Sequence, residues 1–536
     1  MTIREQVSRT VDRGTDGDDS AVDVGLTLLA AAIAAVLVLP LTWLVVDAAG
    51  LGVRAFELAV APKSIDVLVR SVALVAVVTG ASVLLGVPLA VLTVQGEIPF
   101  PRFWTVLAAL PLAVPSYLGA FAFVSAFGPQ GELADLLAPL GIESIPSVYG
   151  FAGAAFVLTL YTYPYVFLTT RAALLSFDGS LVEAARTLNT GRWEAFRRIT
   201  FPQILPGITA GALLVALYAL SDFGTPNIMR VEVFTQFIYA RHVFARDYAA
   251  LLSLQLLTVS AIILAIESRL GVDESGAYES SSHRGSIGLE LGAWRYPALL
   301  LPIVVSLLAI VLPIAIFGMW LTTGGPGYQV GRLTFSWEYG VNSAYVAVLA
   351  AAVSVLVALP IAIASVTADS RLAALANRVP YVGYATPGVV LALALLSFTL
   401  DVFPAIYKTV PLLVFAYVVR FMPQAIGSIR TSTLQVDRQL VEAAHTLGRS
   451  RLNTFRTVTL PLILPGVAAG AALVFLTTMK ELPATLMLRP LGFETLVTFI
   501  WRVEETGLYG QAAVPALVLI CISGLSMAVI VAQEGR

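Results

Sequence analysis

Charge is what this 536-residue chain has least of: 12% of its residues are Asp, Glu, Lys or Arg, against 58% hydrophobic. Its mean hydropathy is +0.86. A soluble globular chain carries about a quarter charged residues, so a water-soluble fold is excluded. The formal net charge is −2, which offers nucleic-acid phosphates no basic footprint. A single cysteine, Cys521, rules out an internal disulfide framework. The three histidines, His242, His283 and His445, are too far apart for a metal-ligand spacing. Only three of the 32 Lys+Arg residues are lysines, Lys63, Lys408 and Lys480, preceded by Pro62, Tyr407 and Met479. A phosphate-binding loop needs Gly-Lys-Ser/Thr, because the lysine reaches the phosphates. The chain therefore cannot hydrolyse ATP by that route. No Ser/His/Asp or paired-carboxylate arrangement stands out in the loops, so neither a catalytic residue nor a metal ligand is expected.

What fills the chain instead is long apolar runs. Twelve are long enough to cross a bilayer, six between residues 24 and 267 and six between 296 and 532. The expected fold is an all-α polytopic membrane protein of about 12 spans, in two tandem six-helix halves. Residues 1–23 read as a polar tail, 24–267 as the first half, 268–294 as a Ser/Gly/Asp/Glu-rich linker and 295–536 as the second half. The first run, Val24–Val46, is too long for a signal-peptide core and is read as an anchoring span. With both termini inside, 20 of the 32 Lys+Arg residues fall in inner loops and tails, as the positive-inside rule prefers. That places both termini and the linker in the cytoplasm of a multi-pass cell-membrane protein.

The halves repeat. Leu181–Ile208 and Leu440–Val467 align without a gap at an offset of 259, with 16 of 28 pairs identical. Leu181, Ala184, Ala185 and Leu188 form an apolar stripe at helical spacing. Asn189 in one copy and Gly448 in the other are residues that tolerate the left-handed turn ending a helix. A second short helix should follow, and Pro202 and Pro461 should open the next span. Asp437 is a candidate cap for the second copy. At an offset of 272, Ser71, Ser82, Pro88 and Pro115 match Ser343, Ser354, Pro360 and Pro387. Equal span number and order in both halves mean a parallel duplication about an axis along the membrane normal.

This repeated stretch resembles the EAA loop of ATP-binding-cassette importer permeases, E-A-A-x-x-x-G followed by a spaced I/V-x-L-P. Glu442, Ala443, Ala444, Gly448, Val458, Leu460 and Pro461 match fully. The first copy matches at Glu183, Ala184, Ala185, Ile199 and Pro202, and departs at Asn189 and Phe201. The resemblance implies a type I importer permease whose two loops are coupling helices docking into separate ATPase subunits, two per transporter. It also implies an extracytoplasmic solute-binding protein and alternating access. No cofactor is expected on this chain, and ATP is used by the partner. Ser221–Val243 and Met479–Val503 look like the matching outer segments of fused ferric-iron importer permeases, which suggests ferric iron as cargo; thiamine, phosphonate and polyamine permeases share parts of that pattern.

Asp222 and Glu481 align at the 259 offset, each at the outer end of a fifth span, with Lys480 beside Glu481. Ionisable groups at membrane depth usually face a protein or water-filled interior. The three residues are candidates for the central pathway or outer gate, against the plainer reading of acids that meet water at a helix end. A proton- or sodium-coupled secondary transporter is the rival class. It would need an ion site at the bilayer midplane, and it has no use for two such loops.

Overall fold

The computed structural model describes residues 24–128, 147–176, 194, 196–269, 291–323, 333–367 and 371–534. Along the chain run α1 (Val24–Gly50), α2 (Pro62–Val94), α3 (Pro101–Ala113), α4 (Ser116–Phe127), α5 (Phe151–Ser176) and α6 (Phe196–Ser221). The short α7 (Gly224–Ile228) and α8 (Phe234–Arg241) precede α9 (Arg246–Arg269). The second half holds α10 (Gly292–Thr323), α11 (Trp337–Thr367), α12 (Ala374–Ala385), α13 (Gly388–Val402) and α14 (Val410–Leu434). After them come α15 (Arg438–Thr446), α16 (Arg451–Met479), α17 (Pro483–Leu488), α18 (Leu496–Thr506) and α19 (Ala513–Glu534). Among the described residues nine helices are long and apolar enough to cross a membrane, or eleven if each bent pair is one span. Together with α19 they fall on the twelve apolar runs.

The third and ninth runs are not the straight spans the sequence suggests. The chain bends by 91° between α3 and α4 and by 104° between α12 and α13. Both bends sit at the repeat-related Pro115 and Pro387. A proline drives the residue before it out of the helical region. Val114 (ψ 127°) and Thr386 (ψ 126°) are accordingly extended, and each proline is itself extended before its new helix begins.

Two compact units form. One comprises residues 48–339 and 496–536; the other comprises residues up to Asp47 together with 340–495. In the first, α2, α5 and α6 pack against one another. The approach is close because small residues line it: a Cβ on Gly211 would come within 2.6 Å of Val166 Cα, and one on Gly86 within 2.9 Å of the Phe167 nitrogen. The seventh apolar run joins this unit. Phe317 of α10 stacks on Phe121 of α4 with centroids 6.0 Å apart, and the buried Tyr161 hydroxyl donates to the Ala309 carbonyl at 2.9 Å.

In the other unit α14 packs on α16, and α13 packs on α17. Gly466 and Gly470 repeat the role of Gly207 and Gly211. A Cβ on Gly470 would meet Ala425 Cα at 2.9 Å, and one on Gly466 would meet Ser432 Oγ at 2.0 Å. The first run belongs here: Trp43 of α1 donates to Asp401 Oδ2 at 3.1 Å and meets Phe398 edge-on. Each unit thus takes in the first span of the other sequence half.

Valine at Gly470 has nowhere to go but into the α14 backbone, an overpacking that costs about 1–3 kcal/mol. Gly470→Val is expected to lower the melting temperature of the purified chain. Gly80→Ala, where nothing lies within 4 Å, is expected to leave it unchanged.

Candidate functional site

The second copy of the repeat is a capped, exposed helix and turn. The Asp437 side chain accepts from the Gln439 N–H at 2.9 Å and starts α15. Its end is a left-handed turn at Gly448 (φ 78°). There the Arg449 N–H reaches the Ala444 carbonyl at 3.2 Å, and the Gly448 N–H reaches that of His445 at 2.9 Å. Those two bonds satisfy carbonyls the helix end would otherwise orphan. Of the apolar stripe, Ala444 packs inward while Leu440 and Leu447 face out, Leu447 being 81% exposed. Glu442 and Ala443 are exposed on the same helix.

Beyond the turn the structure departs from the expected separate short helix. Arg451 opens a helix that runs unbroken into the fifth span. Pro461 has no N–H to donate, and the ladder slips by one residue, the Leu460 N–H bonding the Phe455 carbonyl. The same wide turn occupies Phe196–Thr200, before Pro202. Arg449 donates to Thr457 Oγ1 at 2.6 Å and ties the turn to this helix. Helix and turn are therefore fixed to a span. The equivalent Glu183, Ala184, Ala185 and Asn189 lie outside the described residues.

The two acids at the ends of the fifth helices are caps. Asp222 Oδ1 accepts from the Thr225 N–H at 2.9 Å, and its other oxygen accepts from the Ser116 hydroxyl. Tyr218 donates to Ser116 in turn, at 3.2 Å. Glu481 is 5% exposed. It accepts from the N–H groups of Ala484 and Thr485, each at 3.1 Å, and from the Thr485 hydroxyl at 3.0 Å. Each carboxylate thus sits where α7 or α17 begins. It also touches the start of the limb beyond the bend: Ser116 opens α4, and Gly388 opens α13. Helix N-termini favour negative charge, so an acid is stable here without meeting water. Lys480 ends the fifth helix and is half-buried.

The halves differ in what else meets the acid. Arg420 Nη1 lies 3.5 Å from Glu481 Oε1; the matching residue in the first half is Tyr161. Gly388 leaves the space: a Cβ there would be 1.8 Å from Arg420 Nη1 and 2.8 Å from Glu481 Oε1. Arg420 lies on α14, in one of the apolar runs, and nothing about its own position in the sequence points to Glu481. The signal that could have found it was the glycine standing where the first half has serine, directly after a repeated proline.

A second group of polar side chains gathers in the unit formed by 48–339 and 496–536, and sequence reasoning missed it. The Arg230 guanidinium lies 4.5 Å from the Tyr149 ring centroid. Glu504 and Tyr509 are electrostatic neighbours of both. Burial, reinforced by Glu505 and opposed by Arg230, pushes the Glu504 carboxyl up to about 7.

Gly388→Ala is expected to force the Arg420–Glu481 pair apart and leave two buried charges poorly matched, which is strongly destabilising, about 3–5 kcal/mol when a buried pair is broken outright. The measurement is thermal unfolding of the purified chain. Equal melting temperatures for wild type and variant would show that the pair carries no such weight.

Comparison with known proteins agrees with this architecture. Residues 82–268 and 357–536 each match the family described as "Binding-protein-dependent transport system inner membrane component". The chain is 30% identical over 514 residues to the "Fe(3+)-transport system permease protein FbpB 2" of Haemophilus influenzae, covering 93% of this chain and 96% of that protein. It is 23% identical to the "Ferric transport system permease protein FbpB" of Actinobacillus pleuropneumoniae, over 78% of this chain and 64% of the relative. A shorter match, 30% over 219 residues, covers 39% of this chain and 81% of the "Molybdenum transport system permease protein ModB" of Mycobacterium tuberculosis. The chain, with its duplicated helical core, belongs to the binding-protein-dependent inner-membrane component family, the multi-pass, non-enzymatic permease subunits of ATP-binding-cassette importers.

Proposed function

We propose that this permease passes ferric iron across the cell membrane, with both termini and both repeated loops on the cytoplasmic side. The observation that carries the cargo assignment is the match to the Haemophilus protein named for Fe(3+) transport, which runs nearly the full length of both chains. Two copies of a separate ATPase bind the two loops, and ATP is consumed there. The exposed edge of α15, Leu440 and Leu447 beside Glu442, is the surface that meets one of them, and Gly448 sets its angle. Because α15 is tied to the fifth span through Arg449 and Thr457, movement of the ATPases reaches that span without slack. Glu183, Ala184, Ala185 and Asn189 serve the other ATPase in the same way.

An extracytoplasmic binding protein delivers the ion at the opposite face, where the fifth helices end at Asp222 and Glu481. The two acids, with Lys480, belong to the gate there: by capping α7 and α17 they make each fifth helix and the turn after it one rigid piece. Rocking of the spans then opens one mouth as the other closes. A ferric ion is hard and prefers oxygen ligands, and the passage needs only to let go of it readily.

Deleting the gene and measuring uptake of labelled ferric iron, molybdate and thiamine at limiting concentrations tests the cargo. Iron uptake is expected to fall to background with the others unchanged. Normal iron uptake with loss of another substrate would reject iron and keep the importer reading.

A further inference from the structure

The short helices α8 and α18 are copies of one another. Gln236-Phe237-Ile238-Tyr239 aligns without a gap on Thr498-Phe499-Ile500-Trp501, at an offset of 262. The structure agrees with the pairing. Phe237, Ile238, Phe499 and Ile500 are all buried. Lys63 lies over the Phe237 ring at 5.5 Å, and its repeat equivalent Phe335 meets the Phe499 ring at 6.0 Å. Tyr239 and Trp501 are therefore matched residues of the two halves. Within the unit formed by 48–339 and 496–536 they converge on one side chain. The Phe223 ring lies 4.8 Å from that of Tyr239 and 5.1 Å from that of Trp501, centroid to centroid. The midpoint between two points related by a two-fold axis falls on the axis. A ring in contact with both lies no further from that midpoint than the mean of the two distances. Phe223 thus sits beside the axis that relates the halves. In a parallel duplication this axis runs along the membrane normal, which is the course of the passage.

The ring is 2% exposed, and its backbone is held on both sides. It follows Asp222, whose carboxylate accepts from the Thr225 N–H at 2.9 Å and whose carbonyl accepts from the Thr235 hydroxyl at 2.7 Å. Trp501 is steadied by the hydrogen bond from its indole N–H to Glu505 Oε1 at 2.8 Å. In the second half Leu482 stands at the position of Phe223, so the halves supply one aromatic ring for the axis and not two. We infer that Phe223, in contact with Tyr239 and Trp501, is the plug that shuts the passage at its delivery end. The inference rests on the orientation and the gate proposed above and names the side chain that does the closing. An aromatic ring gives a hard cation no ligand. It bars the ion by keeping water out of a narrow apolar constriction. The plug is carried by α6, which runs from Phe196, within the first repeated stretch, to Ser221. A tilt of that helix at the ATPase end moves the ring at the other end and parts it from Trp501 of the opposite half.

A ring that only fills the core stays buried in every state, whereas a plug is uncovered when the passage opens outward. The first test uses the assembled complex in right-side-out vesicles, with Cys521→Ser and Phe223→Cys. An impermeant maleimide added outside should label the new thiol slowly without nucleotide. Labelling should be at least tenfold faster with the binding protein and a non-hydrolysable ATP analogue present. Equal rates in the two conditions would overturn the plug. Ser450→Cys, on the repeated loop, reports orientation separately: labelling of that thiol from outside would overturn the orientation and leave the plug to the second test. That test does not depend on orientation. Liposomes holding the complex without nucleotide enclose calcein, and cobalt(II), which quenches it, is added outside. Phe223→Ala should speed quenching at least tenfold over wild type. Phe317→Ala, which removes an equally buried ring from the α4–α10 contact, should not. Elution profile and ATPase association check that both variants are assembled. A Phe223→Ala leak no faster than that of Phe317→Ala would overturn the plug, because lost packing alone would then account for it.

Discussion

A helix that stops or turns in a protein interior strands the N–H groups of whatever helix comes next, where no water can meet them. This chain does so in both halves, at the end of each fifth helix and at the bend after Pro115 or Pro387. The answer is one carboxylate per half. Asp222 and Glu481 receive the orphaned donors of α7 and α17 and meet the opening residue of α4 or α13. Two breaks share one acid, and so the fifth helix, the turn beyond it and the far limb of the bent helix are joined at a point. Removing the charge would release all three.

The duplication keeps this device and changes its parts. In the first half a serine hydroxyl and a tyrosine hydroxyl support the acid. In the second a guanidinium does so, and the serine has become a glycine to admit it. The swap trades neutral hydrogen bonds for an ion pair, which demands closer fit. The supporting packing is conserved in kind between halves: Gly207 and Gly211 in one, Gly466 and Gly470 in the other, let the fifth helix lie against the fourth.

Much of this was legible in the sequence because the bilayer imposes strong, local rules. Apolar length marked the spans, the ungapped repeat marked the loop, and Gly448 marked its turn. The prolines were legible as repeats but not as bends. A proline in an apolar run is compatible with a kinked span, and only the extended Val114 and Thr386 show that the helix turns through about a right angle. Pro202 and Pro461 misled in the opposite sense: they looked like helix starts, yet a shift of one hydrogen bond carries the helix across them. The Tyr149–Arg230–Glu504–Tyr509 group left no trace at all, since its members come from three separated turns and two of its four residues are phenols without a motif.

The proposed gate depends on the two carboxylates acting as rigid joints in a moving passage. The direct measurement is ATP-driven uptake of labelled ferric iron into proteoliposomes holding the purified complex, comparing wild type with Asp222→Asn plus Glu481→Gln. Each amide keeps one acceptor oxygen where the carboxylate has two, so one donor per half is orphaned and Arg420 loses its counter-charge. Uptake should fall at least tenfold while association with the ATPase is unchanged. Wild-type uptake by the double variant would contradict the account.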